Sequence, residues 1–376
     1  GRARLFYWQS GSSSGRGSSP GRCRDLDGGN TATLQMRKFK SKQPSCLVIA
    51  EAGVNHNGSM RIAKKMIHTA ARAGVDFVKF QVFSPTELAT PSAPKANYQK
   101  ITTGSAEKQQ AMLAKLALGP AQFRILARTC RKEGVGFLAT AFDHGSLAFV
   151  ESLRPAFHKI SSGDLDNYPY LRQVARYRRP VLLSTGMGTI YEVKAALRVL
   201  EQAGLSRSQV VVLQCHTEYP TRPSEANLRA MDTMRKLARV RTGLSDHVEG
   251  SEIALAAAAR GACVIEKHFT LNRKWKGPDH SASLAPAELK KMVQGIRIVE
   301  QALGDGIKRP TGREKSMLKL VRKQLVARRA VSKGEKFTAA NLGLKRAGGG
   351  IPASCWDKWI GKQARHHYQP EERIRP

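Results

Sequence analysis

Long apolar runs are missing from this 376-residue chain: no segment approaches the ~18 uninterrupted apolar residues of a membrane span. The opening stretch, "GRARLFYWQSGSSSGRGSSPGRCRDLDGGN", also lacks the apolar centre of a secretory signal. Cysteine is sparse and scattered. The six thiols (Cys23, Cys46, Cys130, Cys215, Cys263, Cys355) form no CxxC pair, which argues against a disulfide framework and a cysteine zinc site. A reducing, cytoplasmic setting is expected. No GxxxxGK[ST] occurs, and "STGMG" lacks the spacing of a dinucleotide fingerprint, so neither common nucleotide motif is present.

Acidic residues are few: 29 Asp and Glu stand against 63 Lys and Arg, a formal charge of +34. That balance prompts a different class of reading, a basic nucleic-acid-binding protein. Its distribution argues against a nucleic-acid partner. The cations are spread over helical segments such as "RILARTCRKEG" and "MRKLARVR", with no dense block interleaved with aromatics. Solvated arginine-rich faces explain them better, and they would draw small anions toward any cleft.

Residues 1–43, rich in Gly, Ser and Arg, read as a disordered basic leader. From Pro44 short apolar runs alternate with helical spacing, as in "CLVIAEAG", "RIAKKMIHTAARAG" and "VDFVKFQV". The pattern gives about eight strand–helix units, the number a (β/α)8 TIM barrel requires, over residues 44–304. A doubly wound open sheet is the competing architecture. Residues 305–321 read as a polar linker, and 322–376 as a small β-rich domain with Gly-rich turns.

Polar clusters recur where each strand runs out: "EAGVNHN", "KFQ", "TAFD", "KISSGD", "STGMG", "HTEYP", "SDH" and "EKHFT". In a barrel these ends meet on one face, so their side chains become neighbours. His247 and His268 end the last two strands. They either share a divalent ion or serve as hydrogen-bonded wall residues. Glu51, across the rim, is a third ligand or a partner for a substrate hydroxyl. Lys79 and Lys159 are costly to bury unpaired and so point to an anionic ligand. Thr140, Ser162, Ser184 and Ser245 add hydroxyls, and Gly163, Gly186 and Gly188 allow backbone amides to approach, completing a cradle for phosphate and carboxylate.

The ordered set "IAEAGVNHNG", "VKFQ", "APKANYQKITTG", "KISSGDLDNYP", "LSTGMGT", "CHTEYP", "GLSDH", "EKHFTL", "GPDHSASL" and "LKRAGGGI" resembles the sialic acid (nonulosonate) synthase family over residues 46–375. The last segment is similar to the antifreeze-like (SAF) module of that family. The resemblance implies condensation of phosphoenolpyruvate with an N-acetylated amino sugar to a nine-carbon 2-keto acid and phosphate. N-acetylmannosamine giving N-acetylneuraminate is the leading acceptor. A 2,4-diacetamido-trideoxyhexose giving N,N'-diacetyllegionaminate is the alternative.

Matched motif by motif, the resemblance places Lys79, Thr140, Lys159, Ser162, Ser184, Thr217 and Ser245 on phosphoenolpyruvate. Glu51, Gln81, Tyr219 and Asp279 fall at sugar-binding or site-organising positions, and Glu51 is the catalytic or sugar-orienting carboxylate, with Asn55 and His56 shaping its loop. His247 and His268 match the ligands of a Mn2+ or Mg2+ ion. Arg346 matches an arginine that reaches the neighbouring subunit's sugar, which implies a domain-swapped homodimer. The chain departs from the family pattern at Asp164, where glutamate is usual and a proton-transfer role has been assigned; at Ala347, where proline follows the arginine; and at Val248, where threonine is common.

Overall fold

The computed structural model describes residues 46–376. The expected leader, residues 1–43, lies outside the described residues. The chain divides into two compact units, the first ending at Leu303 and the second running Gly304–Pro376.

In the first unit eight parallel strands close a barrel: β1 (Leu47–Gly53), β2 (Phe77–Val82), β3 (Gly136–Ala141), β4 (His158–Ile160), β5 (Val181–Ser184), β6 (Val210–Cys215), β7 (Arg241–Asp246) and β8 (Val264–His268). Closure comes from β1 pairing with β8, with Glu51 in register with His268, so the open doubly wound sheet is excluded. Each strand alternates sides. On β1 the inward series is Leu47, Ile49, Glu51; on β2 it is Phe77, Lys79, Gln81; on β8 it is Val264, Glu266, His268. Every series runs from apolar to polar. Leu47, Ile49, Phe77, Leu138, Leu182 and Leu213 form an apolar floor in the barrel, and the charged ends lie above it. The outward residues, such as Val48, Ala50, Val78 and Phe80, join the helix layer in the main core.

The helices are built by ordinary local signals. Ser59 caps Met60–Ala73 by accepting from the Ile62 amide, and Gly74 ends it at φ +84, a left-handed turn that favours glycine. Thr189 and Glu192 form a reciprocal capping box at the start of Ile190–Gln202. Between β2 and β3 the chain makes an excursion containing the short helices Pro85–Leu88, Asn97–Thr103 and Gln109–Leu116. These were legible only as a long connection, because each is too short to show a helical period.

In the second unit β9 (Gln324–Ala327) and β10 (Leu342–Lys345) pair antiparallel around a core of Leu325, Val331, Phe337, Leu342 and Tyr368. The segment read as a linker contains the helix Gly312–Val321, started by a Thr311–Glu314 capping box. Its T-x-x-E spacing was visible in the sequence. Among the described residues no helix is long and apolar enough to cross a membrane.

One ion pair is locked into the barrel wall. Lys267 on β8 is 1% exposed and its Nζ lies 2.7 Å from Asp246 Oδ2 on β7. Removing one partner strands a buried charge. Asp246→Ala is therefore expected to cost about 3–5 kcal/mol of unfolding free energy, measured by urea denaturation. Loss of under about 1 kcal/mol, the value of an exposed pair, would show the ammonium to be solvated.

Candidate active site

The carboxyl ends of the strands open into a cavity of about 320 Å³. Glu51, Lys79, Gln81, Thr140, Lys159, Ser162, Asp164, Ser184, Thr217, Tyr219, Ser245, His247 and His268 all line it. Asp279 does not: it is buried in the loop after β8. Arg346, expected to serve a neighbouring subunit, is exposed in the second unit, just beyond β10.

Charge organises the deep end. Lys79 Nζ lies 3.0 Å from Glu51 Oε2 and 3.6 Å from Glu266 Oε1, and it donates to Thr140 Oγ1 at 2.7 Å. Lys159 Nζ is also 3.6 Å from Glu266 Oε1 and donates to Ser184 Oγ at 2.8 Å. Ser245 Oγ donates to the same Glu266 oxygen at 3.1 Å. One carboxylate thus faces two buried ammonium groups. Burial raises Glu51, and Lys79 only partly opposes this. Burial also pulls Lys159 down, against Glu266. Lys79 is held above its ordinary value because Glu266 and Glu51 outweigh its burial. Glu266 is held low by Lys159 and Lys79 in spite of burial. An entering dianion would find both ammonium groups lining the same cavity.

Glu266 was missed at the sequence level. The signal was present: if His268 points inward on β8, so does the residue two before it.

The other side of the cavity is aromatic and imidazole-rich. His247 and His268 have ring centres 5.4 Å apart, and Tyr219 packs with its ring centre 4.0 Å from His247, tilted by 31°, and edge-on to His268 at 5.5 Å. Tyr98, from the excursion between β2 and β3, packs on Tyr219 at 4.9 Å. His247 Nδ1 donates to the His216 carbonyl at 2.5 Å, which leaves Nε2 as the lone-pair nitrogen. His268 Nδ1 is buried with no hydrogen-bond partner. Burial, with His247 alongside, keeps His268 well below the usual imidazole range and therefore neutral.

With metal–nitrogen bonds of about 2.1 Å, two imidazoles on one ion have ring centres roughly 5 Å apart. The pair fits a shared divalent ion. Among the described residues no three His, Cys, Asp or Glu side chains gather as a complete set, so water or substrate would supply the remaining positions.

Asp164, in place of the usual glutamate, accepts from Ser161 Oγ at 2.7 Å and Asn167 Nδ2 at 3.0 Å. Both oxygens are occupied, and the carboxylate braces the loop after β4. Asp279 differs: burial, with Glu51 adding to it, raises its carboxyl to about 7.

Comparison with known proteins places this arrangement. The NeuB family model matches residues 66–308. The chain belongs to the NeuB family. A SAF domain follows over residues 322–375. Among NeuB relatives, the N,N'-diacetyllegionaminic acid synthase of Campylobacter jejuni is 44% identical over 329 residues, covering 88% of this chain and 98% of that one. The human N-acetylneuraminate-9-phosphate synthase is 34% identical over 310 residues, covering 81% and 84%. The crystal structure of the Leptospira borgpetersenii N-acetylneuraminic acid (sialic acid) synthetase in complex with citrate superposes with a TM-score of 0.63 at 30% identity, covering 73% and 90%.

The Asp279 carboxyl gives a pH signature. Its pKa is about 7 in the folded chain against an ordinary 3.8. The folded state thus holds a proton that the unfolded state releases, and stability falls as pH rises from about 4 to about 7. Asp279→Asn, a neutral stand-in, should match the wild type at the acid end of that window and be more stable above it. Urea denaturation across the window checks this; a difference independent of pH would refute it.

Proposed function

We propose that this protein is a phosphoenolpyruvate-dependent nonulosonate synthase whose acceptor is a 2,4-diacetamido-trideoxyhexose, giving N,N'-diacetyllegionaminate. The observation that carries the reading is the pair of buried ammonium groups, Lys79 and Lys159, sharing Glu266 beside the His247–His268 pair. Similarity to the Campylobacter jejuni enzyme, almost end to end for that protein, supports the acceptor.

In this reading Lys79 and Lys159, with Thr140, Ser162, Ser184, Thr217 and Ser245, hold the phosphate and carboxylate of the donor. His247 and His268 hold Mn2+ or Mg2+, which when bound polarises the sugar aldehyde as a Lewis acid. Gln81, Tyr219 and Asp279 surround the acceptor. The donor's C3 attacks the aldehyde carbon and forms the new C–C bond. Water then adds at C2, and breakage of the C–O bond to phosphorus-bound oxygen releases inorganic phosphate and leaves the ketone. Glu51, its carboxyl raised by burial, gives a proton to the former aldehyde oxygen and regains one from the added water, and the remaining proton of the C2 hydroxyl leaves with the phosphate as the ketone forms. Asp164 organises the loop carrying Ser162. The enzyme would work in the cytoplasm as a domain-swapped homodimer, with Arg346 of the partner subunit completing the acceptor site.

N-acetylmannosamine remains the second reading, supported by the likeness to the Leptospira borgpetersenii synthetase. A panel of both sugars with phosphoenolpyruvate and Mn2+, read by phosphate release and product mass, separates them. The diacetamido sugar is expected to give the higher kcat/KM. Phosphate release with neither would end the reading. His268→Ala should lower kcat/KM by at least about 100-fold, an effect of the size seen when a key electrostatic group is removed; full activity would remove the metal assignment.

A further inference from the structure

The "VNHNG" cluster at residues 54–58 carries more amide groups than the cavity uses: neither Asn55 nor Asn57 lines it. Both reach instead from the loop after β1 to the loop after β8. Asn55, 1% exposed, donates Nδ2 to the Phe269 carbonyl at 3.0 Å and to Ser283 Oγ at 2.9 Å. Ser283 Oγ in turn donates to the Asp279 backbone carbonyl oxygen at 2.6 Å. Asn57 Nδ2 donates to the Lys276 carbonyl at 2.9 Å, and its Oδ1 lies 3.3 Å from His280 Nε2. The far side of that ring is fixed too, with His280 Nδ1 2.7 Å from Thr270 Oγ1.

Asp279 therefore sits between two anchors, one at residue 276 and one at 283, both supplied by asparagines of the same short motif. Every partner is neutral, so the clamp fixes position without opposing the charge of the carboxyl. A substrate-binding group on a loop needs such support, because a displacement of about half an ångström spoils its geometry.

We infer that Asn55, Asn57 and Ser283 are positioning residues that set the Asp279 carboxyl for the acceptor sugar, so acceptor recognition depends on them and donor recognition does not. The inference rests on the proposed reaction and on the acceptor role given there to Asp279.

The test is Ser283→Ala, which breaks the relay while leaving Asn55 bonded to Phe269. The acceptor KM is expected to rise about tenfold, the scale of one buried hydrogen bond, with the phosphoenolpyruvate KM unchanged. Ser283→Thr, which keeps the hydroxyl, should restore it. In an Asp279→Ala background Ser283→Ala should add no further loss, since the two act as one unit. Equal rises in both KM values, or additive losses in the double variant, would overturn the inference. Asn57→Gly removes the second anchor without straining a backbone at φ +49; it should also raise the acceptor KM alone, and it serves if Ser283→Ala fails to fold. Crystal structures of the wild type and a variant give an activity-independent readout: the Asp279 carboxyl should move while His247 and His268 stay, and an unmoved carboxyl overturns the inference. Absence of turnover with every acceptor would sink the proposed function, and the crystal comparison would still decide the clamp.

Discussion

Burying two ammonium groups around one carboxylate is the constraint on which the rest of the site depends. Glu266 stands 3.6 Å from both Lys79 and Lys159, and Ser245 bonds to the same oxygen. A buried charge is tolerated only when paired or hydrogen-bonded. Here Thr140 and Ser184 take up part of that demand and Glu51 takes up another. Each of these side chains comes from a different strand or from a different height on it. Only a closed ring with fixed register brings them within reach, so the fold and the electrostatics specify each other.

The cavity divides by chemistry. One side offers cations and hydroxyls, suited to a small polyanion. The other offers the His247–His268 pair with the Tyr219 ring packed against both and the Tyr98 ring behind it. Tyr98 shows how the excursion between β2 and β3 contributes. A single short helix, Asn97–Thr103, carries the ring to Tyr219, and its Thr102 hydroxyl reaches the Pro278 carbonyl at 3.4 Å.

Much of this was legible in the chain because barrel strands obey two simple periodicities. Strand ends announce themselves by a change from apolar to polar, and alternate residues share a face. Those rules locate Glu51, Lys79, Lys159, His247 and His268 at once. They also imply Glu266, which shares the inward face of β8 with His268 two residues on. Asp279 and Tyr98 obey neither rule. Asp279 sits on a loop and Tyr98 on a short helix, both placed by tertiary hydrogen bonds from Asn55, Asn57 and Thr102, and no local pattern encodes such placement. The excursion's helices are too short for periodicity, and the helix Gly312–Val321 was hidden by its polar composition although its capping pair was present.

The pairing of β1 with β8 joins Glu51 to its register partner His268 across more than two hundred intervening residues. During synthesis the first strand must therefore wait, with one row of its peptide groups unmatched, until the eighth has left the ribosome. An unmatched strand edge invites pairing with other chains, and distant pairings form slowly. Completion of the ring and the meeting of those two side chains are a single event, so an incompletely translated chain has an adhesive edge but no working centre.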